Sequence, residues 1–220
     1  HLQDRVSKFV GDPGERIKED YLRILRYFRF QSRLEDPNWD NSTLGAIKDN
    51  VGGLSKISPE RIWSEVKKLL TGRNAEESLK VMGKTGVANS IGLPVANAGQ
   101  IARLERTKNP IVPLSVLVSN SSLAGSWKMS KSESALLNFL VTNKNKPLDR
   151  KSAIDLLHAG NSKQAVVDLS NVQGKFNLAD TIRLYDKPEF PVAGKDLIAK
   201  GMKPGIELGK ILDKLKLKWK

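Results

Sequence analysis

The 220-residue sequence predicts an all-α protein. Three observations lead to that class. Apolar residues recur at three- and four-residue spacing along most of the chain, and no period-two alternation extends beyond four residues. The periodic segments are also bracketed by helix-starting and helix-stopping residues, such as Ser58-Pro59 and Gly72. No segment repeats at a fixed period.

The first helix is expected over about residues 14–34, around RIKEDYLRILRYFRF. At roughly 100° per residue, Ile17, Tyr21, Ile24, Leu25 and Phe28 share one side, and Arg16, Glu19, Asp20, Arg23 and Arg26 share the other. The turn formers of EDPNWDNS close it, and a shorter helix follows, capped near Ser42 and stopped by Gly52 and Gly53. SPERIWSEVKKLLTG starts the third, with Ser58 as N-cap, Pro59 at the first helical position, Gly72 as the stop, and Ile62, Val66, Leu69 and Leu70 as the buried stripe. Beyond Asn74, AEESLKVMGKTG and NAGQIARLERTKN read as helices on either side of a turn at IGLP. PIVPLSVLVSNSSLAG is strand-like in composition and is read as a buried helix. Residues 131–142, 149–159 and 162–170 form three short helices, YDKPEFPVAG is a proline-containing linker, and GKDLIAKG and KPGIELGKILDKLKLKWK are two closing helical stretches.

Thirty-seven Lys and Arg against 24 Asp and Glu leave a formal charge of +13. A surplus of that size favours phosphate-rich partners through counterion release and long-range attraction, so nucleic acid is the leading partner class. An anionic membrane surface competes, but only peripherally, because no apolar run approaches the roughly 20 residues that span a bilayer. The chain has no cysteine, which excludes disulfides, thiolate catalysis and Cys-based metal sites and fits a reducing compartment. With two histidines in all, and His158 read as a helix C-terminal residue, no metal site is expected. The chain starts at His1 with no charged-then-apolar leader and reads as a piece of something longer.

Two readings are open for the first helix. In one, its Glu and Arg residues make surface pairs worth a few tenths of a kcal/mol each. In the other, Asp20 and Arg23 lie one turn apart and aim an acceptor and a forked donor at the edge of one planar ligand. Cytosine and adenine each present an amino donor beside an unprotonated ring nitrogen, whereas guanine and uracil present a carbonyl beside a ring N–H. An Asp facing the amino group and an Arg facing the ring nitrogen accept C and A. Against G or U, like groups face each other, at a cost of about 1–3 kcal/mol for each unpaired group. Glu19, one turn before Arg23, can hold the guanidinium in place.

These residues are familiar as a set. FVGDPGERIKEDYLRILRYFRF resembles the segment of class II tRNA nucleotidyltransferases, the CCA-adding enzymes, that follows their catalytic head. Glu19-Asp20-x-x-Arg23 matches their base-selecting EDxxR motif, and SPERIWSEVKKLL resembles the next motif, an ERI followed by an E-x-x-K-x-L helix. IGLP and the C-terminal FPVAGKDLIAKGMKPGIELGKILDKLKLKW also look like the family's body and tail. The resemblance implies an elongated, hook-shaped helical array divided into a neck at 1–73, a body at 74–125 and a tRNA-binding tail at 126–220. It implies base selection of CTP and ATP by Asp20 and Arg23, orientation by Glu19, and buttressing of the template by Glu60 and Arg61. Tyr21, where many bacterial members carry Pro, leans toward the eukaryotic branch and so toward an intracellular protein of mitochondrion, nucleus or cytoplasm.

The head, with its glycine-rich loop and the carboxylates that hold Mg²⁺, has no counterpart in these residues, and no Asp-x-Asp occurs. This chain alone is therefore expected to select a base without incorporating it. His1 stands where the family usually has an acidic hinge residue. Arg26 and Arg16 are candidates for the triphosphate or the tRNA 3′ end. Lys144, Lys146, Arg150, Lys151, Lys203, Lys210 and Lys214, with the terminal Lys216, Lys218 and Lys220, are candidates for tRNA phosphates. Trp39, Trp63, Trp127 and Trp219 are expected as core anchors. Two alternatives stand beside CCA addition: a non-catalytic basic RNA-binding module, and the poly(A) polymerase or A-adding branch, which shares EDxxR.

Overall fold

The structure is a computed structural model and describes residue 9, residues 11–186 and residues 190–218. His1, part of the YDKPEFPVAG linker, Trp219 and Lys220 lie outside the described residues, as do the side chains of Lys216 and Lys218. In chain order the α-helices are α1 (Pro13–Glu19), α2 (Leu22–Gln31), α3 (Asn41–Asn50), α4 (Pro59–Leu70), α5 (Ala75–Lys84), α6 (Val87–Ser90), α7 (Ile111–Leu117), α8 (Ser122–Ser126), α9 (Lys131–Asn143), α10 (Arg150–His158), α11 (Lys163–Val172), α12 (Phe176–Leu184), α13 (Gly194–Ala199) and α14 (Ile206–Lys218). Two 3₁₀ segments, Val51–Lys56 and Ala98–Arg103, join them, and no strand occurs among the described residues. The protein is all-α.

Contacts divide the chain into two compact units, His1–Lys146 with Asp168–Phe176, and Pro147–Val167 with Asn177–Lys220. The segments expected as neck and body share the first.

In the first unit, α1 packs on α3, α2 on α4, and α7 on α9. Ile17, Ile24, Leu25, Phe28, Ile47 and Leu69 on these helices are fully buried, as is Leu79 on α5. Trp63 and Trp127 stack with centroids 5.7 Å apart, and the Trp127 indole donates to the Ile91 carbonyl at 3.1 Å. Trp39 instead donates to Glu77 at the surface (2.7 Å) while its ring meets Tyr27 and Phe28. Every residue of α7 is buried, as an all-round apolar helix requires.

The structure refines or corrects several expectations. The single helix over 14–34 is two. Asp20 is extended (φ −154°, ψ 102°), and its Oδ1 accepts the Leu22 N–H at 3.1 Å, so a side chain replaces the helical carbonyl and α2 starts afresh. The cap of α3, expected near Ser42, is Asp40, which accepts the Thr43 N–H at 3.0 Å. Gly52 and Gly53 do not stop the chain but carry it through a 3₁₀ turn, where a Cβ on Gly53 would lie 2.0 Å from the Tyr21 ring. Ser58 occupies the N-cap of α4 without a side-chain capping bond, NAGQIARLERTKN supplies a 3₁₀ turn rather than an α-helix, and α12 was not anticipated.

The second unit holds α10, α12, α13 and α14 together with the first part of α11. A reciprocal capping box between Asp149 and Ser152 starts α10, and His158 ends it, with Nε2 3.5 Å from the Tyr185 hydroxyl. Leu148, Ala153, Leu157, Val166, Val167, Ala179 and Ile182 are buried in this unit.

Lys144 is not a solvated cation. Its ammonium donates to the carbonyls of Ser115 (2.8 Å) and Val118 (2.6 Å), closing the C-terminal end of α7 where the helix dipole is negative. Lys144→Met leaves those acceptors without their donor and is expected to lower stability by about 1–3 kcal/mol in urea unfolding, against a negligible change for exposed Lys151→Met.

Candidate functional site

The α1–α2 break gathers six of the predicted site residues. Glu19, the last residue of α1, accepts from Arg16 Nη1 (3.0 Å) and Arg23 Nη1 (2.6 Å). The hydrogen bond from Arg23 is the main cause that holds the Glu19 carboxyl below its ordinary pKa. Arg23 Nη1 also donates to the Arg16 carbonyl at 2.8 Å. A guanidinium carries five N–H donors. Among the described residues Arg23 donates only through Nη1, which leaves its Nη2 and Nε edge without a partner there.

Asp20 lies between two other cations. Its Oδ2 is 3.5 Å from Arg61 Nη2 and 3.8 Å from Arg26 Nη1, and the side chain is 27% exposed. Those separations are loose, and a carboxylate has about four lone-pair sites. With Oδ1 spent on Leu22, Oδ2 keeps accepting capacity toward solvent. A loosely held acceptor and a partly used forked donor thus stand three residues apart in sequence at the same helix break.

Arg61 reaches Asp20 across 41 residues of sequence because α4 packs along α2. A pair that sequence reasoning did not single out fixes that seam. Arg29 on α2 places Nη1 3.0 Å from Glu65 Oε2 on α4, with side chains only 17% and 6% exposed, and its guanidinium lies 4.4 Å above the Phe30 ring. The available signal was Glu65 itself, a charged residue inside the apolar run of the E-x-x-K-x-L helix. Arg61 therefore joins the site while its neighbour Glu60 does not. Glu60 pairs with Lys128 Nζ at 2.8 Å, which lowers its pKa, and Lys128 takes up a left-handed backbone (φ 47°).

The predicted phosphate contacts are dispersed. Lys146 donates to Asn143 Oδ1 at 3.1 Å. Arg150 and Lys151 are exposed in the first turn of α10, Lys203 precedes α14, and Lys210 and Lys214 are exposed along it. Among the described residues no group of three or more His, Cys, Asp or Glu could hold a metal ion.

A family model described as "Probable RNA and SrmB- binding site of polymerase A" matches residues 39–97, which include α3, α4 and Arg61. The chain is 34% identical to the CCA tRNA nucleotidyltransferase 1, mitochondrial, of Mus musculus, over 100% of its own length and 56% of that relative's. Among solved structures, the fold of the Bacillus stearothermophilus CCA-adding enzyme in complex with CTP superposes with a TM-score of 0.73, at 22% identity, covering 98% of this chain and 60% of that one. The Thermotoga maritima CCA-adding enzyme complexed with tRNA superposes with a TM-score of 0.61 at 17% identity, covering 93% and 58%. The chain spans a little over half the length of such relatives, and the helix break with its acidic pair and basic surround lies inside the matched span. Along its whole length, this chain is similar in sequence to CCA-adding enzymes and shares their fold.

Proposed function

We propose that this chain is the base-selecting and tRNA-binding part of an enzyme that adds CCA to tRNA 3′ ends. The observation that carries the reading is the division of labour at the helix break. Glu19 takes one nitrogen of the Arg23 guanidinium, while Asp20, three residues earlier in the chain, has Oδ2 only loosely held by Arg61 and Arg26. Asp20 accepts from the exocyclic amino group of cytosine or adenine, and Arg23 donates to the adjacent ring nitrogen. Guanine and uracil meet acceptor with acceptor and donor with donor. Arg61 and Arg26 steady Asp20 and supply positive charge for a triphosphate or a tRNA 3′ end.

Phosphoryl transfer needs Mg²⁺ to polarise the triphosphate. The described residues offer no carboxylate cluster for it, so no metal-dependent step is placed on this chain. The chain alone is accordingly proposed to be inactive, and the metal to belong to a head domain joined to it. Lys146 and the exposed cations of the second unit are assigned to tRNA phosphates; Lys144, whose ammonium is taken by backbone carbonyls, is not. No described helix is long and apolar enough to cross a membrane. An intracellular site follows from this reading, mitochondrial if the chain follows the mouse relative.

Joined to a head domain of the family and given a tRNA lacking its 3′ end, the wild-type chain should direct incorporation of C and A, with G and U at least tenfold poorer, and Asp20→Ala or Arg23→Ala should erase that preference. Selective addition that survives Arg23→Ala removes the template role. A ¹³C pH titration checks the orienting pair. The Glu19 carboxyl should titrate below the ordinary carboxylate range and return toward it in Arg23→Ala. Because its pKa is lowered in the folded state, the pairing is fully present at neutral pH and is lost as pH falls through that lowered value.

A further inference from the structure

At the other end of α2 and α4, about 14 Å along the axis of α4 from Arg61 at 1.5 Å per residue, the first unit holds an open cavity of about 570 Å³, within the range of small-ligand sites. Four cations line it. Arg33 follows α2, Arg73 follows α4, and Arg106 and Lys108 stand on the loop after the second 3₁₀ turn. Two carboxylates share the lining, Glu76, which is taken by Lys80, and Glu105. Arg73 has one loose exposed partner, Glu35 at 3.3 Å. Arg33, Arg106 and Lys108 have no ion-pair partner among the described residues.

The walls that carry these cations are fixed by hydrogen bonds. Buried Asn171 accepts the Glu105 N–H at 2.9 Å and donates back to the Glu105 carbonyl at 3.4 Å. Asn109 Nδ2 donates to buried Asp168 at 2.9 Å, so the segment bearing Arg106 and Lys108 is tied at both ends. On the opposite wall the Asn74 N–H meets the Ser32 carbonyl at 2.8 Å, and Gly72 approaches so closely that a Cβ there would lie 2.5 Å from that same oxygen. Cations held on a rigid frame around one cleft repel one another. An anion with several acceptor oxygens satisfies them together through forked, charge-assisted bonds. No aromatic side chain lines the cavity, so it offers no base-stacking platform and recognises phosphate itself.

We propose that this cavity is a phosphate-binding site, separate from the base-selecting cluster, in which Arg33, Arg106 and Lys108 grip either a phosphodiester of bound RNA or a free phosphate group. The test uses the 220-residue chain with two probes, a tRNA transcript lacking its 3′ end and inorganic phosphate. Binding of the transcript is measured by fluorescence anisotropy between 50 and 200 mM salt, and phosphate is titrated with backbone amide NMR shifts of residues 105–108 as the readout. For an RNA phosphodiester, the Arg33→Ala/Arg106→Ala double variant binds RNA roughly tenfold more weakly, with a salt slope shallower by about 0.7–0.9 per lost contact. For free phosphate, the variant keeps wild-type RNA affinity but loses saturable phosphate-induced shifts. Coincident RNA curves, together with phosphate shifts that are absent from or identical in wild type and a normally melting variant, overturn the proposal. If the double variant does not fold, Lys108→Glu is read in the same way, since its side chain is exposed. The RNA arm rests on the RNA binding proposed above and the phosphate arm does not. Wild-type chain that binds no RNA therefore signals failure of that function rather than of this site, and the phosphate arm then decides.

Discussion

Everything at the candidate site depends on one local hydrogen bond, from the Leu22 N–H to Asp20 Oδ1. It substitutes a side chain for the carbonyl that an unbroken helix would have used, and so releases Asp20 into extended backbone between α1 and α2. The consequence is a separation of partners. Glu19 finishes α1 and turns to Arg16 and Arg23, whereas Asp20 turns toward Arg26 and Arg61. Two adjacent carboxylates that would otherwise share cations each have their own. One can then act as a fixed support while the other keeps an oxygen for a ligand.

The break alone would leave Asp20 on a loose joint. The seam between α2 and α4 prevents that, and the Arg29–Glu65 pair inside it fixes which face of α4 meets α2. Buried ion pairs repay their desolvation poorly as a source of stability and are better attested as devices that specify register. Here register is what matters, because a rotation of α4 would carry Arg61 away from Asp20. The apolar stripe of Ile62, Val66, Leu69 and Leu70 supplies the burial that the pair does not. The same two helices present Arg33 and Arg73 just beyond their far ends, so one seam organises two separate clusters of charge.

Much of this was legible in the sequence, and what was not has physical reasons. The amphipathic period of residues 16–30, the Pro59 start of α4 and the burial of α7 follow from apolar spacing and from proline chemistry, which are local. The break at Asp20 was hidden because its neighbours are good helix formers and Asp decides by capping, a competition between two local hydrogen bonds of similar strength. The same competition let Asp40 take the cap of α3. Arg61 was recognised as part of a motif, but its approach to Asp20 is a product of packing across 41 residues. Lys144 was read as a phosphate contact because sequence shows charge and not the carbonyls waiting for it. The phosphate-site cavity was invisible for a similar reason, being assembled from the end of α2, the end of α4 and a loop anchored by Asn171.

The most direct measurement is a chemical cycle on the Asp20 carboxylate. In the chain joined to a head domain, single-turnover incorporation of CTP is compared with incorporation of its analogue lacking the 4-amino group, for wild type and for Asp20→Ala. If Asp20 reads the amino group, deleting that group slows the wild type by roughly tenfold or more and hardly affects Asp20→Ala, since the interaction is already gone. An equal penalty in both proteins would mean that Asp20 does not touch the base and that its position at the helix break is purely architectural.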